Sequence, residues 1–190
     1  MKTVLIAAFA LTAASLAHAE TVTYKADPSH TFVTFEVKHL GTSTVRARFD
    51  KKDGMVTLDR AAKTGNVEFT IDMASISSGL ATFDTHLKSK DFFNVTEAPT
   101  AKFSGDKLSF NGDKLSSVTG TLTLLGKTHP VTLTATHFNC YEHPMLKREV
   151  CGGDFETSIA RSQWGMACGL TYGIPDNVKL LVQVEAVKQQ

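Results

Sequence analysis

Alternation at period two runs through most of this chain, and few folds can absorb so many half-wet strands. Val33, Phe35 and Val37 share one face of a run whose other face is Thr34, Glu36 and Lys38. Val67, Phe69 and Ile71 stand against Glu68 and Thr70; Leu122 and Leu124 against Thr121 and Thr123; Val131, Leu133 and Ala135 against Thr132, Thr134 and Thr136. The last run places Val178, Leu180, Val182, Val184 and Ala186 together, and shorter runs cover 44–50, 54–58, 100–106, 107–110 and 154–160. Successive strand side chains point to opposite faces, so each run has one dry and one wet side. That is the signature of antiparallel pairing rather than of a doubly buried parallel sheet. Turn signals separate the runs every eight to twelve residues or so, the spacing of a sandwich or barrel. Asp53-Gly54, Asn111-Gly112, Gly105-Asp106 and Leu125-Gly126 read as hairpin dipeptides. The expected fold is all-β: an extended antiparallel barrel, because closure removes the exposed edges that so many strands would leave.

One segment departs from the pattern. Between Ser75 and Asp91, Ile76, Leu80, Phe83 and Leu87 recur at helical spacing. Gly79 weakens that helix, so one or two short helical turns around 76–91 are expected rather than a rod.

The first nineteen residues read as a signal peptide. Met1-Lys2 supplies a short positive start, Val4 to Leu16 is apolar but for Thr12 and Ser15, and Ala17-His18-Ala19 fits the small-x-small cleavage rule. The run is shorter than a membrane span needs, so no integral membrane anchor is expected. No Cys follows the cleavage site, which argues against a lipoprotein. The mature chain would run from Glu20 to Gln190 as a single domain in an oxidising, exported compartment. Without Lys2 its basic and acidic residues are equal in number, so no surplus charge advertises a nucleic-acid partner.

A closed barrel of this size either fills its interior with side chains or leaves room for one ligand, and alternation alone leaves both open. Three motifs bear on the choice. Asp27-Pro-Ser-His30 leads into Phe35-Glu-Val-Lys-His-Leu-Gly41. Asp84-Thr-His-Leu87 is followed by Ser89-Lys-Asp-Phe-Phe93, then Ala98-Pro99 and Phe103. Gly120-Thr-Leu-Thr-Leu-Leu-Gly126-Lys-Thr-His-Pro-Val131 completes the set. In this order, over nearly the whole mature chain, they resemble the YceI-like family of exported, polyisoprenoid-binding, lipocalin-like barrels. Two positions depart from the family pattern: Phe83 stands where members often carry Arg, and 45–49 lacks the Gly often found before Phe49.

The resemblance implies a periplasmic protein whose hydrophobic tunnel holds a long isoprenoid, either a polyprenyl lipid or the tail of a quinone. It implies storage, transport or shielding of that lipid, no reaction, and no cofactor beyond the bound isoprenoid or quinone. Strand parity then nominates Phe35, Val37, Phe49, Phe69, Phe103, Leu122, Leu124, Leu133, Phe155 and Val182 as the ligand-binding wall. Each buried methylene contributes about 0.8 kcal/mol, so several isoprene units need no charged anchor. Monomer and homodimer are both left open.

The histidines and cysteines offer competing chemistry. His30, His39, His86, His129, His137 and His143 show no H-x-x-x-H or H-E-x-x-H spacing. A metal cluster of His137, Cys140 and His143 is the sharpest enzyme reading, but an exported Cys is more often bridged than metal-bound. His39 is placed at a barrel mouth, and Asp84 and His86 are expected to fix their loop through capping and backbone hydrogen bonds. No G-x-S-x-G or phosphate-binding loop occurs. The alternatives are therefore a hydrolase or metal or redox enzyme using the histidines, and a ligand-free interaction barrel. Cys140 and Cys151 flank a turn-like excursion and are expected to be bridged, leaving Cys168 unpaired.

Overall fold

The computed structural model describes residues 21–190. The expected signal peptide and its cleavage site lie outside these residues. Eleven strands are present: β1 (Val22–Ala26), β2 (Phe32–His39), β3 (Ser43–Phe49), β4 (Lys52–Asp59), β5 (Thr64–Asp72), β6 (Ile76–Ser77), β7 (Thr100–Asn111), β8 (Lys114–Leu124), β9 (Lys127–Glu142), β10 (Glu149–Ala160) and β11 (Asn177–Lys188). Among the described residues one α-helix, α1, spans Ala81–Lys88.

All pairings are antiparallel, in the order β1-β4-β5-β7-β8-β9-β10-β11, and β11 pairs back to β1. This closes an eight-stranded barrel. Beyond β1, β11 continues its ladder with β2, β2 with β3, and β3 with β6. The pairs β1/β2, β3/β4 and β5/β6 are thus three long staves of the barrel, each bent once.

The bends lie side by side and are stitched together. In the first, Asp27 Oδ1 accepts from the Ser29 amide at 2.8 Å, and Asp27 Oδ2 pairs with His30 Nδ1 at 2.8 Å. Thr31, wholly buried, donates its hydroxyl to the Glu185 carbonyl and accepts from the Glu185 amide. The Asp-Pro-Ser-His motif therefore turns a stave without breaking the wall. In the second and third, the Asp50 amide donates to the Ser75 carbonyl and the Lys51 amide to Ser75 Oγ. Asp72 caps the short 3-10 turn Met73–Ser75 by accepting from the Ala74 amide.

Parity held along each unbroken run, and failed where a bulge intervenes. Asp106 is an extra residue in β7, so the inward set passes from Ala101, Phe103 and Gly105 to Leu108 and Phe110. Gly105-Asp106 is this bulge, not a hairpin, and 100–110 is one strand rather than two. A second bulge at Thr136 in β9 turns His137 outward and brings Phe138 inward. Asp53-Gly54 is likewise not a turn. It lies within β4, and a Cβ on Gly54 would stand 2.6 Å from Cζ of Phe69, its cross-strand partner. The glycine is there because the Phe69 ring lies across it.

The other two hairpin dipeptides are turns. Gly112 and Asp113 join β7 to β8. Leu125 (φ 51°) and Gly126 (φ 71°) join β8 to β9 with positive φ at both central positions, the twist-matched hairpin turn. The short helical turns expected around 76–91 are present as α1. Ile76 belongs to β6, paired with Phe49, and only 81–88 is α-helical, with Leu80 as its N-cap.

Candidate functional site

The barrel interior holds two cavities stacked along its axis. A lower chamber of about 120 Å³ lies between β1, β4, β5 and the strands β7 to β11. An upper chamber of about 300 Å³ lies under α1 and the 161–176 segment, against β2 and β3. Leu180 lines both, and the inward residues of β2 pass from one to the other, Val33 to the lower and Phe35 to the upper. From Val178 to Ala186 the inner face of β11 follows both chambers, a path of roughly 26 Å at strand rise.

The two chambers differ in shape and chemistry. The lower lining is apolar apart from the Tyr24 hydroxyl, which is already committed: it donates to Glu149 Oε1, and Arg60 Nη2 donates to Glu149 Oε2 at 2.7 Å. Burial, then the Glu149 contact, pushes the Tyr24 phenol well above its ordinary pKa. This chamber is comparable to the ~150 Å³ apolar cavities that stay dry in water. Its lining suits a hydrocarbon. The upper chamber reaches the size of a small-molecule site, roughly 300 Å³ or more, and its lining includes Lys38, His39, His86, Arg161 and Cys168 among apolar side chains.

Of the ten residues nominated by parity, Phe69, Phe103, Leu122, Leu133, Phe155 and Val182 line the lower chamber. Phe35, Val37 and Phe49 line the upper one. Leu124 is inward and 6% exposed, but it packs in the core cluster beside the 125–126 turn and lines neither.

The lid over the upper chamber comes from the segments that alternation could not read. Asp84 Oδ1 accepts from both the amide (2.7 Å) and the hydroxyl (2.5 Å) of Ser78, which fixes α1 over the barrel mouth. These bonds hold the Asp84 carboxyl below its ordinary pKa. Leu87, on the same helix, is 3% exposed, and Phe93 packs its ring against Phe35 and Phe49, with centroids 6.0 and 5.5 Å apart. His86 does not cap the loop through its ring as expected; the imidazole meets Phe92 edge to face at 5.0 Å and lines the chamber. His39 does sit at the mouth.

The opposite side of the lid is the 161–176 segment. Asp176 repeats the Asp84 arrangement, accepting from the Ser162 amide at 2.8 Å and hydroxyl at 2.6 Å, and its carboxyl is depressed for the same reason. Trp164, 1% exposed, donates Nε1–H to the Leu122 carbonyl at 3.2 Å and packs on His129. Arg161 is 4% exposed inside this segment. Neither Arg161 nor the lid role of Trp164 follows from strand parity; the one available signal was a lone Trp between small and polar neighbours in a non-alternating stretch.

Cys140 and Cys151 face each other across β9 and β10 and are bridged, as expected, at the lower chamber. Their sulfurs are therefore not available to a metal. His137 is exposed, and His143 Nδ1 accepts the Met145 and Leu146 amides in the β9–β10 turn. Cys168 is unpaired, half-buried, and makes no hydrogen bond to an imidazole among the described residues.

Comparison with known proteins converges on one family. A family model described as YceI-like domain matches residues 24–186. A protein named YceI from Shigella flexneri is 34% identical over 170 residues, covering 88% of this chain and 87% of that protein. A UPF0312 protein of Pseudomonas aeruginosa is also 34% identical over 169 residues, covering 87% of each. Among solved structures, the Campylobacter jejuni YCEI protein superposes with a TM-score of 0.70 at 26% identity, over 80% of this chain and 90% of that one. A polyisoprenoid-binding domain from Saccharophagus degradans shares the fold, with a TM-score of 0.62 at 15% identity, over 87% of this chain and 98% of its own.

Proposed function

The chain belongs to the YceI-like family, and from that membership and its two stacked apolar chambers we propose that it is an exported, periplasmic binding protein that holds a long isoprenoid chain and does not turn it over. The observation that carries the reading is the lower chamber: an apolar cavity whose only polar side-chain group among the described residues, the Tyr24 hydroxyl, is taken by Glu149. A tail of methyl-branched hydrocarbon gains burial at every unit there and meets no unpaired polar group. Polyprenyl lipids and isoprenoid-quinone tails are the ligands of this shape. The polyisoprenoid-binding neighbour supports the same ligand class.

The facing of the wall supports a water-borne carrier. Apolar side chains point in, and Thr, Lys and Glu point out; a barrel embedded in lipid has the reverse order. Among the described residues no helix is long and apolar enough to cross a membrane. A cavity that shields a tail needs no nucleophile or activated base, and the chamber asks no chemistry of its histidines.

Protein purified gently from its native host compartment and weighed by native mass spectrometry tests the proposal. A co-purified mass that fragments as an isoprenoid supports it. A bare chain, or a bound metal in place of lipid, overturns it. The same spectrum gives the first residue: a chain starting at Glu20 agrees with export, and one starting at Met1 removes that part of the proposal.

A further inference from the structure

Arg161 stands in the wall of the upper chamber, yet it is only 4% exposed. Its Nε donates to the Pro175 carbonyl at 3.0 Å and its Nη1 to the Met166 carbonyl at 3.0 Å. Its Nη2 is buried and has no acceptor among the described residues. A guanidinium cannot shed its proton to escape burial, so two N–H donors remain unsatisfied in an apolar surround. Such a group is costly to leave unpaired, and native proteins rarely do so without a role for it. Asp176 accepts from Ser162 through both oxygens and makes no hydrogen bond to Arg161 Nη2.

The rest of the chamber wall agrees in sign. Its ionisable side chains other than Cys168 are Lys38, His39, His86 and Arg161, with no carboxylate among them. Lys38 donates to Thr44 and not to an acid. The lower chamber carries no such group, so basic side chains line one end of the cavity only.

We propose that Arg161 is the head-group receptor of this protein, its Nη2 donating to an oxygen at the head of the bound isoprenoid. The chain then lies tail-first, with its hydrocarbon in the lower chamber and its head beneath the 161–176 segment. The head chemistry is an oxygen acceptor, either the phosphate of a polyprenyl phosphate or the carbonyl of a quinone. This inference rests on the isoprenoid-binding reading and adds the polarity of the site and the residue that sets it.

The test is an equilibrium titration of wild type and Arg161→Lys with solanesyl phosphate, ubiquinone-9 and squalene, a pure isoprenoid hydrocarbon. Trp164, the chain's only tryptophan, reports binding from three residues away. Wild type should bind at least one headed lipid about tenfold or more tighter than squalene, as a charged hydrogen bond implies. Arg161→Lys should lose roughly that factor for the headed lipid and leave squalene within about twofold. The headed lipid with the larger loss identifies the head as anionic or carbonyl. Equal losses for headed lipid and squalene would mean a structural role only, and overturn the inference. So would a wild type that binds all three alike, while tail binding itself stood. A wild type that binds none of them sinks the tail-binding proposal and the inference with it.

A second measurement needs no substitution and covers a variant that fails to fold. In protein labelled with 15N-arginine, the Arg161 guanidinium signals should shift on adding the headed lipid and stay in place with squalene. Identical spectra with both lipids overturn the proposal.

Discussion

The two ends of this barrel are held by different physics. The lower end is locked: Cys140–Cys151 joins two neighbouring strands covalently, and Tyr24, 2% exposed, packs with Leu58, Cys151 and Ala186. The upper end is latched. Its lid segments are held by two carboxylate–serine pairs, Asp84 with Ser78 and Asp176 with Ser162, and by the Trp164 contact to Leu122. The foot is closed by a covalent bond and apolar packing, the lid by hydrogen bonds to carboxylates. On the proposed function this asymmetry suits loading: the closed end would set the depth and the lid end would admit the chain.

The largest expected effect breaks the lower chamber from inside. Leu122 is 8% exposed on the chamber wall, whereas Thr123 points outward and shares a hydrogen bond with Thr128 at 2.8 Å. Leu122→Asp buries an unpaired carboxylate and should cost roughly 3 kcal/mol or more, with loss of bound lipid even in the fraction that folds. Thr123→Asp, one residue on, should melt close to wild type and retain its lipid. Leu122→Ala separates charge from packing: it should cost about 2–3 kcal/mol, keep the fold and loosen the lipid without expelling it. Lipid extraction from the folded variants checks the contrast. Equal retention in the two Asp variants would mean that no tail lies against Leu122.

Removing the lock comes next. The Cys140–Cys151 bridge closes a loop with a sequence separation of 11, which the chain-entropy account values at about 2–3 kcal/mol. Cys140→Ala with Cys151→Ala should lower the denaturation midpoint by that amount. The lid, which shares no contact with the bridge, should keep its hydrogen-exchange protection. If lid and foot loosen together, the two ends are not independent.

A smaller change sharpens the same point within the foot. Gly54→Val sets a side chain where the Phe69 ring now lies, against a contact already at 2.6 Å for the first carbon. The ring must swing into the lower chamber, at a cost of about 1–3 kcal/mol for overpacking. Short isoprenoids that fill only the upper chamber should then bind as before, and long ones should bind more weakly. A titration with farnesol and solanesol reads the difference.

The foot was legible in the sequence, and the lid largely was not. Strands leave a two-residue period whenever one face is wet, so Val33, Phe35, Leu122 and Val182 could be faced correctly from spacing alone. Parity is blind to an inserted residue, which is why Thr136 hid the inward turn of Phe138 and Asp106 split one strand into two. Turn dipeptides mislead when glycine serves packing instead, as Gly54 does under Phe69. The lid has no period to read. Arg161 is buried by loops that converge from 161–176, and a charged residue in a coil segment looks exposed until those loops are folded around it. The cysteine pairing was readable because an excursion between two strands brings its ends together, but that it lies at the foot needed the register.

The smallest expected effect concerns the latches, and it separates the ends by pH alone. Asp84 and Asp176 each accept two hydrogen bonds from a serine, and each has its pKa lowered in the folded protein by those bonds first of all. A carboxyl whose folded pKa lies below its unfolded value contributes its stabilisation above the unfolded value, and loses it as pH falls through the folded one. The lid should therefore be fully latched at neutral pH and loosen progressively below about pH 4, where free carboxyls protonate. The foot's disulfide and apolar packing hold no carboxyl, and its Glu149 accepts from Tyr24 and Arg60 rather than from a backbone amide and a serine. Hydrogen-exchange protection of the Ser78 and Ser162 amides should fall on acidification, while that of Phe103 and Leu122 holds until the whole barrel unfolds. Asp84→Asn gives the internal control. It keeps an oxygen that accepts from Ser78 but removes the titration, so the pH dependence should vanish at Ser78 and persist at Ser162. If Ser78 in that variant still tracks pH as in the wild type, the Asp84 latch is not the group being protonated, and the acid sensitivity of the lid must originate in the 161–176 segment.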